Sequence, residues 1–275
     1  MSTNSSERCP STLKRLIRGS AVATAAWCFF VTGAPPATAS EAWCTAEVGG
    51  SWDASGNACH ASVVSNRQAT MDISITVPDD VVNDPTMGPV IHRYVTAFAN
   101  QWRTLGATMP RDNVVRTDYT LYSRSPSLKS VVFHEFWQTV GTLPNNAYRT
   151  WTFDLDKGRQ VQLADLFRPG VDPSVALPPL VRPFLADALD QAPPPHIAQT
   201  YPFLTSEWEP QPDGSGFSSG YRAFAITADE LILYLPDAPM AHPTPAPRNQ
   251  PVWSMDGGTV TARIPLTALT SILRS

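Results

Sequence analysis

The clearest pattern in this chain is a strict alternation of apolar and polar residues over residues 71–77, which predicts a half-buried β-strand. After a turn at residues 78–83, apolar residues recur every three or four positions, which is typical of one face of a helix. The pattern therefore predicts a long amphipathic helix over residues 85–105. We expect Asp84 to cap its amino end and Gly106 to end it.

The middle of the chain is predicted to form strands joined by short loops. Residues 115–123 alternate, whereas residues 130–140 are apolar on both sides, which predicts a central strand covered on both faces. A loop at residues 141–146 leads to a further strand at residues 151–155. The turn Asp156-Lys157-Gly158 then predicts a hairpin that continues the sheet.

The last part of the chain predicts a second helix and the remaining strands. Helical spacing favours a helix over residues 179–191, and short strands are predicted at 221–227, 231–235 and 260–264, before a short terminal helix. Strands mixed with a few helices and hairpins indicate an α+β fold. We expect a mixed, mostly antiparallel sheet with a long N-terminal helix and a second helix packed on it.

Residues 1–39 have the organisation of a secretory signal peptide. Basic residues precede an apolar run over residues 21–31, and Pro35-Pro36 breaks the helix before the small residues of a cleavage site at Ala39. The run is too short to span a bilayer, which needs about 20 residues. We expect a mature protein that begins at Ser40, is secreted or held in the cell envelope, and has no membrane span.

The net charge of the chain limits the kinds of partner that we expect. Removing residues 1–39 takes away four basic residues and one acidic residue of the 20 and 24 in the chain, which leaves a net charge of −7. Nucleic acid and anionic lipid are therefore not expected as partners. The sequence has neither a phosphate-binding glycine loop nor residues at metal-ligand spacing, so we expect no cofactor and no metal site.

Two of the four cysteines would leave with the signal peptide, and Cys44 and Cys59 would remain. An even pair in an oxidising compartment favours a disulfide, which would stabilise the fold by about 3 kcal/mol. The alternative is a pair of metal ligands, but His60 alone does not complete such a site. We therefore predict a Cys44–Cys59 disulfide.

Several short blocks of sequence resemble one family of secreted proteins. These blocks are residues 148–158, 163–167, 224–234 and 264–269, with Cys44 and the segment Gly56-Asn57-Ala58-Cys59 towards the N-terminus. They resemble the secreted MPT-type immunogenic antigens of mycobacteria, whose C-terminal domain is similar to the extracellular, lysozyme-sensing part of the RsiV anti-sigma factors. The resemblance covers nearly the whole mature chain.

The resemblance implies an organisation and a mode of action. A signal peptide at residues 1–39 would precede a secreted region at residues 40–275. Within that region, residues 40–110 would hold the disulfide, the strand and the long helix, and residues 111–275 would form an RsiV-like C-terminal part. Because RsiV proteins sense another protein, the resemblance implies a non-enzymatic protein that binds an unknown protein or cell-surface partner.

Two polar loops are the predicted contact surface, because binding residues often lie on loops of a rigid scaffold. The loops cover residues 208–220 and 237–251. Tryptophans in such segments can anchor a partner at an interface, and half-buried packing is the alternative. The predicted binding residues are Trp208, Phe217, His242 and Trp253.

The segment Gly216-Phe217-Ser218-Ser219-Gly220 matches the Gly-x-Ser-x-Gly pattern of serine hydrolases. A catalytic serine in this pattern needs a strand before it and a helix after it. Here a polar loop precedes and a predicted strand follows, so a flexible loop is the simpler interpretation. The alternative function is a secreted carboxylesterase with Ser218 as nucleophile; by elimination, its partners would be His196 or His242 and Asp229 or Asp237.

His134 and Glu135 are the other candidate pair. Adjacent strand residues point to opposite faces of a sheet, so these two side chains cannot share one site. We expect His134 to be a hydrogen-bonded histidine of the sheet and Glu135 to be a charge at its edge or rim.

Overall fold

Two β-sheets form the framework of the computed structural model, which describes residues 39–142, 144–191, 197–200, 208–210, 219–235 and 260–274. The larger sheet contains β1 (Ser51–Asp53), β2 (Ala58–Val64), β3 (Thr70–Thr76), β4 (Asn113–Ser123), β5 (Leu128–Thr139), β6 (Asn145–Asp154) and β7 (Arg159–Val161). The smaller sheet contains β8 (Phe224–Ile226), β9 (Glu230–Leu235) and β10 (Val260–Pro265). Apart from Ala39, the predicted signal peptide lies outside the described residues.

Helices lie between and beside the strands. The α-helices are α1 (Ala39–Trp43), α2 (Asp79–Val82), α3 (Gly88–Gly106), α4 (Pro173–Ala176) and α5 (Pro178–Gln191). A π-helical turn occupies Cys44–Val48, and short 3-10 helices occupy Leu163–Leu166, Ser219–Tyr221 and Leu266–Leu269. The predicted α+β class is confirmed. Within the described ranges, every helix is too short or too polar to cross a membrane.

The strands of the larger sheet lie in chain order from β1 to β7. Neighbours pair antiparallel except β3 and β4, which are parallel, with Ile73 opposite Val115. A parallel pair needs a crossover connection, and α3 lies in this one. The strand β5 lies between β4 and β6, as its apolar residues on both sides predict. The mostly antiparallel sheet is thus confirmed.

The long helix begins three residues later than its pattern predicts, at Gly88. The segment predicted as a turn contains α2, and a Cβ added to Gly88 would lie 2.3 Å from the Val82 carbonyl oxygen. Only glycine permits this approach, so the chain turns here before α3 starts. Asp84 caps that turn instead of the helix, because its carboxylate accepts hydrogen bonds from the N–H groups of Thr86 and Met87.

The segment before β3 holds more regular structure than its turn-rich sequence predicts. The strands β1 and β2 form a hairpin in which Trp52 lies opposite Cys59. The predicted disulfide is present between Cys44 in the π-helical turn and Cys59 in β2, with their Cα atoms 5.5 Å apart. The disulfide therefore attaches the first helical segment to the larger sheet.

A hydrophobic core fills the space between α3 and the larger sheet. The apolar face of α3 packs on inward-facing residues of β3, β5 and β6, as the helical spacing predicts. Its members include Ile91, Val95, Phe98, Ile73, Phe133 and Phe153.

The second helix packs on the smaller sheet and forms a separate core there. Val181, Leu185 and Leu189 of α5 lie in this core, with the apolar face of strands β8 to β10. The opposite face of the smaller sheet packs on the larger sheet, where Tyr234 belongs to the same buried cluster as Val132. The strands β8 to β10 therefore form a sheet of their own, which strand patterns alone do not predict.

Side-chain hydroxyl groups hold the edge of β8 against the larger sheet. The Phe224 N–H donates to Thr150 Oγ1 at 2.9 Å, and the Ile226 N–H donates to Ser130 Oγ at 3.1 Å. Edge N–H groups left open invite pairing with other chains, and these two bonds satisfy them internally. The contacts fix the position of the smaller sheet on β5 and β6.

Candidate functional site

The strand β5 carries two titratable side chains that reach opposite faces of the larger sheet. Glu135 contacts Tyr94 on α3, whereas His134 stacks on Tyr148, which in turn stacks on Tyr234 of the smaller sheet. The prediction that the two residues cannot share a site is confirmed. Each of them instead lines a recess of its own.

The recess beside Glu135 lies between α3 and the adjoining ends of β5 and β6, and we call it the helix-side cleft. Its volume is about 520 Å³, within the range of about 300–1,000 Å³ that is typical of ligand pockets. Its apolar lining comes from the side chains of Phe98, Trp102, Leu105, Met109 and Trp137. Its polar lining includes Tyr94, Glu135, Asn145 and Arg149.

Two donors hold the Glu135 carboxylate inside this cleft. Its Oε1 accepts hydrogen bonds from the Tyr94 hydroxyl at 2.9 Å and from Arg149 Nε at 3.2 Å. Only 15% of the Glu135 side chain is exposed, so the ion pair is partly buried. Burial, together with the Glu135 charge, raises the pKa of the Tyr94 phenol well above its ordinary value and keeps it a donor. Glu135 is therefore an interior charge, and its expected position at an edge or rim is wrong.

Contacts among aromatic and polar side chains fix the apolar lining of the helix-side cleft. The ring centroids of Trp102 and Trp137 are 5.3 Å apart, and Trp137 Nε1 donates to Asn113 Oδ1 at 3.2 Å. The ring centroids of Phe98 and Trp102 are 6.1 Å apart. Because each ring has a partner outside the cleft or within its wall, the cleft is preformed.

The recess beside His134 lies between the larger sheet and β10 of the smaller sheet, and we call it the inter-sheet recess. Its volume is about 460 Å³. Its lining is mostly polar and includes Asp118, Thr120, Tyr122, Tyr148, Tyr234 and Arg263. The two recesses thus differ in chemistry although they share one strand.

Both ring nitrogens of His134 face acceptor oxygens. Nε2 lies 2.8 Å from Asn146 Oδ1, and Nδ1 lies 3.5 Å from Asp118 Oδ2. A neutral imidazole donates from one nitrogen only, so the protonated ring satisfies both contacts. The interaction with Asp118 accordingly raises the pKa of His134 above its usual value of 6.5, although burial opposes this. The prediction of a hydrogen-bonded sheet histidine is confirmed.

Of the four residues predicted to bind a partner, Trp208 lies in the described part of the chain. Its side chain is completely buried in the core of α5 and the smaller sheet. It therefore occupies the interior, which corresponds to the packing alternative and not to an exposed anchor. The other three, Phe217, His242 and Trp253, lie outside the described residues and stay predictions.

Ser218, the nucleophile of the esterase alternative, also lies outside the described residues, together with His196, His242 and Asp237. Asp229 is described, and its backbone N–H bonds to Thr227 Oγ1 in the turn between β8 and β9. The esterase stays a prediction, which hydrolysis of p-nitrophenyl esters by the wild type and Ser218→Ala would test. Among the described residues, no three His, Cys, Asp or Glu side chains are grouped to hold a metal ion.

Sequence patterns do not predict the helix-side cleft, because Trp102 and Trp137 occupy periodic positions that are equally typical of a core. One signal is present in the sequence. Glu135 shares its strand face with Phe133 and Trp137, which places an ionisable group at an inward position. A charge at such a position needs a partner, and Arg149 on β6 supplies it.

Comparisons with known proteins find distant structural neighbours. No family model and no curated protein matches the sequence. A DUF3298 family protein from Pseudomonas aeruginosa PAO1 is 15% identical, with a TM-score of 0.45 over 79% of this chain and 92% of that chain. A DUF3298 family member from Bacteroides fragilis is 13% identical, with a TM-score of 0.43 and the same coverage. At this distance the likeness assigns no function to this chain.

Proposed function

We propose that this protein is exported and acts by binding another protein, one of whose aromatic side chains enters the helix-side cleft. The observation that carries the proposal is an open cleft with an aromatic lining and a hydrogen-bonded carboxylate within it. Protein interfaces draw most of their binding energy from a few aromatic, aliphatic or arginine side chains that fill such pockets. A cleft of this kind therefore suits an anchor residue of a partner.

The preformed lining favours tight capture. Ordering a side chain during binding costs about 0.5–1.5 kcal/mol of affinity. The contact between Trp102 and Trp137 and the hydrogen bond from Trp137 to Asn113 already restrict the rings in the free protein. Binding an anchor in this cleft therefore costs little energy for ordering the lining.

The polar lining selects the type of anchor. Arg149 Nε and Glu135 Oε1 lie 3.2 Å apart, and their opposite charges balance. This pair therefore gives the cleft no net charge that would attract an ion. The nearby Asn145 amide and the Glu135 carboxylate can still bond to a polar atom at the end of a ring. Tyrosine and tryptophan combine an apolar body with such a polar end, so we expect one of them as the anchor.

Two further observations support export and a protein partner. The Cys44–Cys59 disulfide fits an oxidising compartment, where disulfides persist. The resemblance to the MPT-type antigens, and to the extracellular part of the RsiV anti-sigma factors, agrees with a secreted protein that binds another protein. Immunoblots of culture medium and cell fractions would test the location, and recovery in the cytoplasm alone would contradict it.

Selection from a displayed random peptide library tests the binding role. Ala97 is exposed on α3 and lines the helix-side cleft, so Ala97→Trp fills the cleft from a position outside the core. Asn100→Trp places the same side chain on an exposed part of α3 that does not line the cleft and serves as the control. We expect tyrosine- or tryptophan-containing peptides that bind the wild type and Asn100→Trp but not Ala97→Trp. Failure to enrich such peptides, or equal binding to Ala97→Trp, would overturn the proposal.

A further inference from the structure

The inter-sheet recess is separate from the helix-side cleft and calls for a different ligand. One wall is the face of the larger sheet that carries Asp118, Thr120 and His134, and the other includes Thr261 and Arg263 of β10. Carboxylate, hydroxyl, imidazole and guanidinium groups thus converge on a space of about 460 Å³. A few convergent polar groups in a recess of this size are typical of a ligand site.

Aromatic stacking makes one wall of the inter-sheet recess rigid. The rings of His134 and Tyr148 have centroids 4.9 Å apart at an interplanar angle of 29°, and those of Tyr148 and Tyr234 are 4.7 Å apart at 21°. The Asn146 side chain adds a hydrogen bond to His134 at 2.8 Å. Because these groups already have fixed positions, a ligand would meet a surface that needs little rearrangement.

The charges around the inter-sheet recess already lie beside opposite charges. Arg263 Nη2 is 2.8 Å from Glu230 Oε2, and Asp118 lies beside His134, which carries the opposite charge when its ring is protonated. The recess therefore has little excess charge to attract an ion. Asp118 nevertheless keeps 64% of its side chain exposed and Arg263 keeps 51%, so both can form charge-assisted hydrogen bonds with a neutral ligand.

We propose that the inter-sheet recess binds an uncharged saccharide of two or more sugar rings. Each sugar hydroxyl both donates and accepts hydrogen bonds, which matches a lining that holds the acceptor Asp118, the donor Arg263 and the hydroxyl of Thr120. The C–H faces of a sugar ring are apolar and can pack on the aromatic ring of Tyr122. This combination of groups suits neither a purely apolar molecule nor an ion.

The neighbouring surface explains why more than one ring is expected. The face of the larger sheet that carries Asp118 continues to Arg116, which borders a shallow depression of about 550 Å³. Hydroxyl and carboxylate side chains of Ser62, Asp72 and Ser74 line that depression. A linear saccharide that starts in the inter-sheet recess can therefore continue across a polar, exposed sheet face.

Saturation-transfer NMR on the whole protein tests this inference with cellohexaose, maltohexaose and hexa-N-acetylchitohexaose as probes. Thr120→Trp fills the inter-sheet recess from an exposed strand position, and Asp118→Asn removes a charge while retaining the shape. We expect saturation transfer to at least one probe in the wild type and none in Thr120→Trp. Asp118→Asn should weaken binding about tenfold, as loss of a hydrogen bond to a charged group does.

Ala97→Trp is the matched control, because it fills the helix-side cleft on the other face of the sheet. It should bind the same saccharide as the wild type does. Circular dichroism of each variant shows whether the fold is kept, and the milder Asp118→Asn variant decides if Thr120→Trp does not fold. Absence of transfer to all three probes in the wild type, or transfer unchanged in Thr120→Trp and Asp118→Asn, would overturn the proposal.

Discussion

The helix-side cleft and the inter-sheet recess each contain one of two successive titratable residues of β5, Glu135 and His134. The two residues differ in how far they and their hydrogen-bond partners are buried. Glu135 is 15% exposed and bonds to Tyr94 and Arg149, which are themselves partly buried. His134 is 27% exposed and lies beside Asp118, which is 64% exposed. The carboxylate thus depends on interior partners, whereas the imidazole depends on a partner at the surface.

This difference sets what each group contributes to stability. Removing one member of a partly buried pair leaves the remaining groups without the opposite charge to which they bond, which is costly. A pair with one solvated member loses less, because water replaces the lost contact. We therefore expect the two neighbouring positions of β5 to respond very differently to substitution.

The largest effect is expected for Glu135→Ala. The substitution removes the carboxylate to which both Tyr94 and Arg149 donate, and we expect the free energy of unfolding to fall by about 2–3 kcal/mol. Urea denaturation of the wild type and the variant measures the change. The double variant Glu135→Ala/Arg149→Ala is the control, since loss of Arg149 should cost less once Glu135 is absent. Additive losses, or a loss below about 0.5 kcal/mol for Glu135→Ala, would refute the interior role of this carboxylate.

A smaller and pH-dependent effect is expected for His134→Gln. Because the folded protein raises the pKa of His134 above 6.5, the protonated ring stabilises the fold below about pH 6.5, and this contribution disappears as the pH rises through the raised value. Urea denaturation should show a loss of about 1 kcal/mol at about pH 5.5, the typical contribution of a hydrogen bond, and a smaller loss at about pH 8.5. The substitution His60→Gln, at an exposed position of β2, controls for histidine replacement itself. An equal loss for His134→Gln at both pH values would contradict this account.

The smallest effect on stability is expected for Arg263→Ala, in the wall of the inter-sheet recess. Its ion pair with Glu230 is partly exposed to solvent, so we expect a loss of about 0.5 kcal/mol or less in urea denaturation. The same variant should weaken saccharide binding if the recess is a ligand site. A loss of stability as large as that of Glu135→Ala would show that the recess is instead part of the structural core.

The elements that the sequence predicts well include those in which one face alone is buried. The alternation of apolar and polar residues in β3 and the helical spacing in α3 each predict a single apolar face. In the structure these two faces pack together. The sequence also predicts the disulfide, because only Cys44 and Cys59 remain after the expected cleavage of the signal peptide. Local pattern therefore predicts that the apolar face of α3 packs on this face of the larger sheet.

The remaining features depend on contacts between distant segments. The pattern of apolar residues in β8 to β10 does not indicate whether these strands extend the larger sheet or form a second one. The hydroxyl groups of Thr150 and Ser130, which hold the second sheet in place, have no distinctive spacing in the sequence. The start of α3 depends on the approach of α2 to Gly88. The candidate site depends on Arg149 lying beside Glu135, although the inward position of that carboxylate was visible in the sequence.

The most direct test of the account is a fluorescence titration with N-phenyl-1-naphthylamine, a neutral aromatic probe of the helix-side cleft. The wild type and Thr120→Trp should bind the probe equally, because Thr120 lies in the inter-sheet recess. Ala97→Trp should bind it at least about tenfold more weakly, because the added ring occupies the aromatic lining. Equal binding by Ala97→Trp and the wild type would show that the cleft does not accept an aromatic anchor.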